Sequence, residues 1–224
     1  MSTILYRIKN SDYVGVFATA SDRYVFLGSG IEEKDKQRIS DALGVESVDL
    51  SVSSSDLVGL FARANSNGII LSNLVETGEI ERLESLKLGI NIGIIDSGLN
   101  TVGNNIIAND KIAVVNPDYD SSVMAQIGDI LGVEVVKSQL PLFKTIGASN
   151  IFTNRGMVIN NRSSDTEKAE MERISKSVSV RTTANSGSIY VGLSAIANSK
   201  GIVAGKSTTG FEMQRLTEGL DIEV

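Results

Sequence analysis

Two short segments of this chain have the residue types of loops that do chemistry in other proteins. Residues 201–207 read Gly-Ile-Val-Ala-Gly-Lys-Ser, which resembles a phosphate-binding loop whose backbone amides and following helix hold a phosphate. Such a loop needs four residues between its glycines, whereas three separate Gly201 from Gly205. We therefore interpret Gly201 as the first residue of a hairpin strand, and we predict no cofactor.

The second segment is Asp96-Ser97-Gly98, which resembles the active loop of an aspartic protease. That chemistry needs two such carboxyl groups that share one proton at close range, and the motif occurs once in the sequence. We favour the interpretation that a strand ends at this point and a turn begins.

The amino-acid composition excludes several other kinds of site. The chain has no His, no Cys and no Trp. It therefore has no Ser-His-Asp or Cys-His nucleophile, no zinc site made of thiolates or imidazoles, and no disulfide. Carboxylates, lysines, tyrosines and hydroxyls are what remains for chemistry.

The net charge and the hydropathy of the sequence indicate which partners the protein could bind and where in the cell we expect it. Lys and Arg number 21 against 27 Asp and Glu, so the formal net charge is −6. An acidic chain lacks the basic face on which non-specific duplex binding depends, so we predict no DNA partner, while a basic protein partner stays compatible with this charge. The first residues do not resemble a signal peptide, and no stretch approaches about 18 uninterrupted apolar residues. We expect a soluble, cytoplasmic protein with no membrane contact.

The elements that position these residues repeat along the whole chain. A glycine preceded by an apolar residue recurs at intervals of 44, 44, 44 and 45 residues, at Gly15, Gly59, Gly103, Gly147 and Gly192. Five and six residues after each glycine comes a pair such as Ala64-Asn65, and a short apolar run follows. A fixed period of this length is typical of a propeller or a solenoid.

Each unit is predicted to contain a hairpin, a helix and one more strand. Asn and Gly between two apolar runs, as at Asn67-Gly68, indicate a hairpin because both residues tolerate a positive φ. Apolar spacings of three and four residues, clearest from Val123 to Leu131, predict the helix. Capping boxes are predicted to begin three of the helices, at Ser29 with Glu32, Ser164 with Glu167, and Thr209 with Glu212.

The fifth unit lacks its last strand, and the other end of the chain supplies one. Thr3–Ile8 reads as a strand with no helix of its own, so we predict that it pairs with the fifth unit and closes the ring. The predicted fold class is α/β, a single five-bladed α/β propeller domain with pseudo-fivefold symmetry over residues 1–224. Its units are predicted at residues 9–52, 53–96, 97–140, 141–184, and 185–224 together with 1–8. The even spacing disfavours a two-domain α/β protein, and the helices disfavour all-β propeller blades.

Small and uncharged polar residues lie around the repeated glycines, for example Ser53-Ser54-Ser55, Asn104-Asn105 and Ser149-Asn150. Equivalent turns of a ring would gather these residues on one face around its axis. Such a face, with apolar residues such as Leu60 and Leu193, suits protein docking. Ordinary solvated turns would have the same composition, so both interpretations stay open.

Several segments resemble the translation initiation factor 6 family, the ribosome anti-association factors of archaea and eukaryotes. These segments are Asp56–Gly59 with Ala64-Asn65, Leu99–Asn104 with Asn109-Asp110, and Ala197–Gly201 with Ser207–Gly210. They follow the family's order over essentially the whole chain. We expect an archaeal member, because the chain ends soon after its fifth predicted helix.

That resemblance implies a pentein fold and a monomer that is not an enzyme. It implies binding to the joining face of the large ribosomal subunit, chiefly to a ribosomal protein beside the sarcin-ricin loop, with a minor contact to rRNA. A factor bound there blocks the small subunit sterically, with roles in initiation and large-subunit biogenesis. The resemblance places the contact at Gly103 and Asn104. Extended through the repeat and its polar turns, the predicted contact adds Gly59, Leu60, Ala148, Asn150, Gly192 and Leu193.

The pentein fold that this resemblance implies also hosts enzymes that modify guanidino groups, using a Cys nucleophile and a His base. Both residue types are absent from this sequence, so the alternative function is a non-enzymatic scaffold or a small-ligand-binding protein. Lys111, Arg155 and Lys200 follow the repeated glycine by eight residues in three units, and we expect them to be available near RNA.

Overall fold

The computed structural model describes residues 2–138 and 144–222, and over these ranges the chain forms fifteen strands in five three-stranded sheets. The strands are β1 (Ser2–Tyr6), β2 (Ala18–Ala20), β3 (Tyr24–Gly28), β4 (Glu46–Leu50), β5 (Ala62–Ala64), β6 (Gly68–Ser72), β7 (Asn91–Ile95), β8 (Ile106–Ala108), β9 (Ile112–Val115), β10 (Glu134–Lys137), β11 (Ile151–Phe152), β12 (Met157–Asn160), β13 (Ser179–Thr182), β14 (Ala195–Ala197) and β15 (Gly201–Gly205). The predicted boundary between units at residues 140 and 141 lies outside the described residues.

Long and very short helices alternate along the described chain. The first short one is a 3-10 turn over Val14–Val16. The α-helices are α1 (Glu33–Leu43), α2 (Val58–Phe61), α3 (Thr77–Ser85), α4 (Val102–Asn105), α5 (Ser121–Leu131), α6 (Ile146–Ser149), α7 (Asp165–Ser175), α8 (Val191–Ser194) and α9 (Gly210–Gly219).

All five sheets share one topology. A short inner strand pairs antiparallel with the middle strand, and an outer strand, reached through a long helix, pairs parallel with it, as β2, β3 and β4 do. In the fifth sheet the outer strand is β1, which pairs parallel with β15 from Ser2 opposite Gly201 to Tyr6 opposite Gly205. The predicted five-bladed α/β propeller is therefore confirmed, and the N-terminal strand closes its fifth blade.

The core lies between neighbouring blades. The middle strands are buried on both faces, and Ile69, Ile70 and Leu71 of β6 are fully buried. Each long helix packs between the sheet of its own blade and that of a neighbour. For example, Ile127 and Leu131 of α5 share an apolar cluster with Ile70 of β6. Apolar burial therefore runs around the ring and joins blade to blade.

Two of the three predicted capping boxes are present. Ser164 caps α7 with Glu167, and Thr209 caps α9 with Glu212. The prediction for Ser29 with Glu32 was wrong, because α1 begins after Glu32, which occupies the N-cap and makes no side-chain capping bond. The one-turn offset arises because Ile31, 4% exposed, is held in the core just before the helix.

The hairpin tips form as predicted, but through a different interaction. Asn67 and Gly68 do not have the positive φ expected of them. Instead, Asn65 Oδ1 accepts bonds from the amides of Asn67 and Gly68, both at 2.9 Å. This Asx turn recurs with Asn109 and Asn198. Equivalent hydroxyl-based turns form at Ser21 and Thr153.

The two motifs that resemble active loops occupy ordinary positions in this fold. Gly201–Gly205 is the middle strand of the fifth blade, so the Gly-Lys-Ser segment cannot form a phosphate-binding loop there. Asp96 directly follows β7 and accepts a bond from Asn73 Nδ2 at 3.0 Å. Among the described helices, none is both long and apolar enough to cross a membrane.

Candidate functional site

Five short helical turns surround the axis of the propeller, and we call them the axial turns. They are Val14–Val16, Val58–Phe61, Val102–Asn105, Ile146–Ser149 and Val191–Ser194. The first residue of each turn is 0% exposed and anchors it in the core. Each turn leads directly or within one residue into an inner strand, so the blade fixes its position.

The repeated glycines bring the axial turns into backbone contact. A Cβ on Gly59 would lie 1.8 Å from the Gly15 carbonyl oxygen, and one on Gly103 would lie 1.9 Å from that of Gly59. The same relation runs from Gly147 to Gly103, from Gly192 to Gly147, and from Gly15 back to Gly192, at 2.0 to 2.2 Å. No side chain fits at these positions, so the glycines are a structural requirement of a closed ring.

The residues predicted to bind a partner occupy two different environments. Leu60, Asn104 and Leu193, each directly after a repeated glycine, keep part of their surface accessible. Ala148 and Asn150 are 4% and 1% exposed. Contact with a partner stays a prediction for all of them.

The side chains of Asn104 and Asn150 are used differently. Asn150 Nδ2 donates to the Ile146 carbonyl at 2.8 Å, and its Oδ1 accepts from the Asn160 amide at 3.2 Å, so this residue holds its own turn. Asn104 Oδ1 is buried and has no hydrogen-bond partner among the described residues. The fold therefore leaves one hydrogen-bond acceptor of Asn104 unused, and an unpaired buried acceptor is unfavourable.

Sequence reasoning missed two aromatic residues of this surface. Tyr13 and Tyr190 precede the Val-Gly pairs of the first and fifth units and are 42% and 45% exposed. Their common offset from the repeated glycine was the available signal. Together with Leu60, Asn104 and Leu193 they form what we call the axial face. The five turns with the residue before each of them contain no charged residue.

The opposite end of the axis is strongly polar. The inner strands lead from the axial turns to the hairpin tips, where Asn154 Nδ2 donates to Asp22 Oδ2 at 2.8 Å and to Asp110 Oδ2 at 2.6 Å. The amides of Ser66 and Ser199 donate to the other oxygens of these two carboxylates, each at 2.7 Å. The tips are thereby bonded across the axis.

The predicted RNA-facing basic residues lie at these tips, away from the axial face. Lys200 Nζ donates to the carbonyls of Asp22 and Gly44, and Arg155 pairs with Asp221 at 2.9 Å. Lys111 is exposed. Charged residues of both signs therefore lie at the hairpin tips of this end of the axis.

Two carboxylates support the turns that precede the axial turns, that of half-buried Glu79 and that of buried Glu212. Ser53 and Ser54 have positive φ values of 55° and 59°, and their amides donate to Glu79. The amides of Ser186 and Gly187 donate to Glu212 in the same way. Successive amides of such a backbone form a nest, which binds an anion. In these two nests the anion is the carboxylate of Glu79 from α3 and of Glu212 from α9.

Burial raises the pKa of Glu212, but bonds donated by Thr183, Thr209 and Gly187 outweigh this effect and lower the pKa below its ordinary value. For Glu79, burial likewise raises the pKa, and backbone and side-chain hydrogen bonds lower it further than burial raises it. Both groups are therefore carboxylates at neutral pH and contribute to the rigidity of the axial face. Among the described residues, no group of three or more carboxylates could hold a metal ion.

Comparison with known proteins gives consistent matches. The model of the eIF-6 family matches residues 3–219. Translation initiation factor 6 of Picrophilus torridus is 37% identical over 95% of this chain and 97% of its own length. Translation initiation factor 6 of Pyrococcus horikoshii is 36% identical over 95% of each chain. Archaeal relatives therefore match nearly the full length.

A solved structure shares the fold. It is a dimethylarginine dimethylaminohydrolase variant in an adduct with S-methyl-L-thiocitrulline, with a TM-score of 0.52 and 10% sequence identity. The match covers 88% of this chain and 96% of that chain. At this level of identity the similarity concerns the fivefold pentein arrangement, and chemistry is decided by the residues of each site.

Proposed function

This chain belongs to the eIF-6 family of translation initiation factors, and on that premise we propose that it prevents ribosomal subunits from joining. In this proposal it binds the joining face of the large subunit in the cytoplasm, chiefly through a ribosomal protein beside the sarcin-ricin loop. The bound ring then occupies space that the small subunit needs. A contribution to large-subunit biogenesis is part of the same proposal.

The observation that carries the docking site is the difference between the two ends of the axis. The axial face presents Tyr13, Tyr190, Leu60 and Leu193 on turns with no charged residue. Protein interfaces are depleted in charge at their centre and enriched in tyrosine. The tip end, with its carboxylates and basic residues, has the opposite character. We infer that the axial face docks on the ribosomal protein and that any rRNA contact lies at its margin.

The mechanism in this proposal is competition for one surface. A factor that binds only the free large subunit shifts the subunits away from joining by mass action, and no turnover is required. The closed ring of glycine contacts holds the axial face in one conformation. A rigid surface loses little conformational freedom on docking, which favours affinity.

The direct test mixes the protein with purified large and small subunits and sediments the mixture. The proposal requires that the protein co-migrate with the large subunit and reduce the amount of joined ribosomes. Failure to bind isolated large subunits at moderate salt would refute it. Equal binding to both subunits would refute the competition mechanism.

The docking face is tested with a paired substitution. Leu193→Asp introduces a charge into the axial face and is expected to weaken large-subunit binding at least tenfold, the loss of a central contact worth about 2 kcal/mol. Leu86→Asp makes the same change at a leucine that is 49% exposed at the end of α3, away from the axis. Equal losses in the two variants would show that the axial face is not the docking surface.

Asn104→Asp is a narrower test of the same face. Because the Asn104 side chain makes no hydrogen bond within the described residues, the substitution is expected to weaken binding while the melting temperature stays nearly constant. A large fall in melting temperature would instead assign Asn104 a structural role.

A further inference from the structure

Among the five inner strands, one has a charged residue, and its side chain lies in the axis. Arg63 is the middle residue of β5, and the equivalent residues of the other units are uncharged, namely Thr19, Ile107, Ile151 and Ile196. Its guanidinium lies in a cavity on the axis and donates from Nη2 to the carbonyl of Gly103. Its Nε is buried without a partner, and Arg63 forms no ion pair with a carboxylate of the described residues.

Arg63 keeps its charge in this position. Burial lowers the pKa of Arg63 to about 10, so the guanidinium stays protonated at neutral pH. Arg63 is partly buried, and a charge withdrawn from water without a counter-charge is unfavourable unless another group compensates it. The single carbonyl of Gly103 supplies a dipole and no charge, so the cavity lacks one negative group.

Backbone amides line the same cavity. Along an antiparallel strand, every second residue bonds to the partner strand, and the residues between them direct their amides away from it. In the first blade the Ser21 amide bonds to the Tyr24 carbonyl. The amide of the preceding residue, Ala20, therefore points away from β3 and toward the axis. Equivalent bonds close the ladders of the third and fifth blades, so the amides of Ala108 and Ala197 point inward too. All three alanines line the cavity that contains Arg63.

The size of the cavity limits what it can hold. Its volume is about 30 Å³, which is room for roughly one or two water molecules. A phosphate or the carboxylate of a partner side chain needs more space. We propose that the axial cavity binds one small monovalent anion of the size of chloride, against the guanidinium of Arg63 and the inward-facing amides. The anion would supply the missing counter-charge at the centre of the ring.

The first test uses crystals of the full chain soaked in sodium bromide, because bromide replaces chloride and scatters anomalously. An anomalous peak in the axial cavity beside the Arg63 guanidinium is the expected result. A cavity that holds only water, or a peak confined to the protein surface, would overturn the proposal. This readout needs no variant and is independent of ribosome binding.

The second test measures melting temperature while chloride replaces gluconate at constant ionic strength. The temperature is expected to rise by roughly 3 °C for each tenfold increase in chloride above its Kd. Arg63→Met should abolish this response, whereas Arg82→Met, the same change at an exposed arginine of α3, should retain it. Equal chloride responses in the wild-type chain and Arg63→Met would overturn the proposal. If Arg63→Met does not fold, the bromide experiment alone decides.

Discussion

Gly103→Ala tests whether the axis is closed by backbone contact. Alanine is normally better than glycine in a helical turn by about 1 kcal/mol, so helix propensity alone predicts a more stable variant. The structure predicts the opposite. A Cβ at this position would lie 1.9 Å from the carbonyl oxygen of Gly59 and 2.9 Å from that of Ala62, whereas real Cβ atoms essentially never approach within 3.0 Å.

The cost follows from what would have to move. Both opposing atoms belong to backbone, so no side-chain rotation relieves the contact, and the axial turn must shift by about 1 Å or more. Every neighbouring turn in the ring is packed against the next glycine in the same way. We expect a loss of about 3 kcal/mol in the free energy of unfolding, which in a chain of this size lowers the melting temperature by roughly 6–12 °C.

Urea unfolding followed by circular dichroism measures this loss. The matched control is Gly78→Ala in α3, where a Cβ would meet nothing within 4 Å, and where we expect a gain of about 0.5–1 kcal/mol. If Gly103→Ala proves as stable as the wild-type chain, the repeated glycines do not close the ring by backbone contact. A loss in Gly78→Ala equal to that in Gly103→Ala would also refute the reasoning.

The remaining predictions concern stability. Asn65→Ala should destabilise the chain by about 2–3 kcal/mol in urea unfolding, because the Asn65 side chain accepts two turn amides and donates to two carbonyls of the neighbouring blade; a loss below 0.5 kcal/mol would contradict this role. Glu212 has a lowered folded-state pKa, so its contribution is present above the ordinary value of 4.5 and is lost as pH falls through the folded value. Glu212→Gln should therefore lower stability at pH 7 and flatten its acid dependence between roughly pH 5 and 3. Identical acid profiles would contradict the binding of this carboxylate by the turn at Ser186 and Gly187.

The architecture could be predicted from the sequence because its signals are local and repeated five times. Hairpin, helix and strand patterns recur at each repeated glycine, and the missing fifth strand pointed to Thr3–Ile8. Errors arose where a distant contact decides the local structure. The Asn67-Gly68 pair looked like a positive-φ turn, yet Gly68 is needed because a Cβ there would lie 2.2 Å from the carbonyl oxygen of Ile130 in the next blade.

The position of the candidate site could be predicted from the sequence, but the residues that form its accessible surface could be predicted only in part. The repeat located the axial turns, since equivalent residues of a ring share a face. It predicted both Asn104 and Asn150 as contacts, although Asn104 directly follows Gly103 and Asn150 lies three residues after Gly147. The two side chains differ because Asn150 bonds to the Ile146 carbonyl and to the Asn160 amide, and Asn160 belongs to the adjacent strand of the hairpin. Arg63 gave no periodic signal at all, because it replaces an uncharged residue in a single unit.

The shape of the axis leaves little room for a small-molecule substrate. Pockets for small substrates are typically about 300–1,000 Å³, whereas the axial cavity of this chain is about 30 Å³ and contains the Arg63 side chain. Glycine contacts narrow one end of the axis, and bonds from Asn154 to Asp22 and Asp110 cross the other. A pentein ring of this kind has its accessible surface outside the axis. The docking proposed for this chain therefore depends on the outer face of the ring and not on a cavity in its axis.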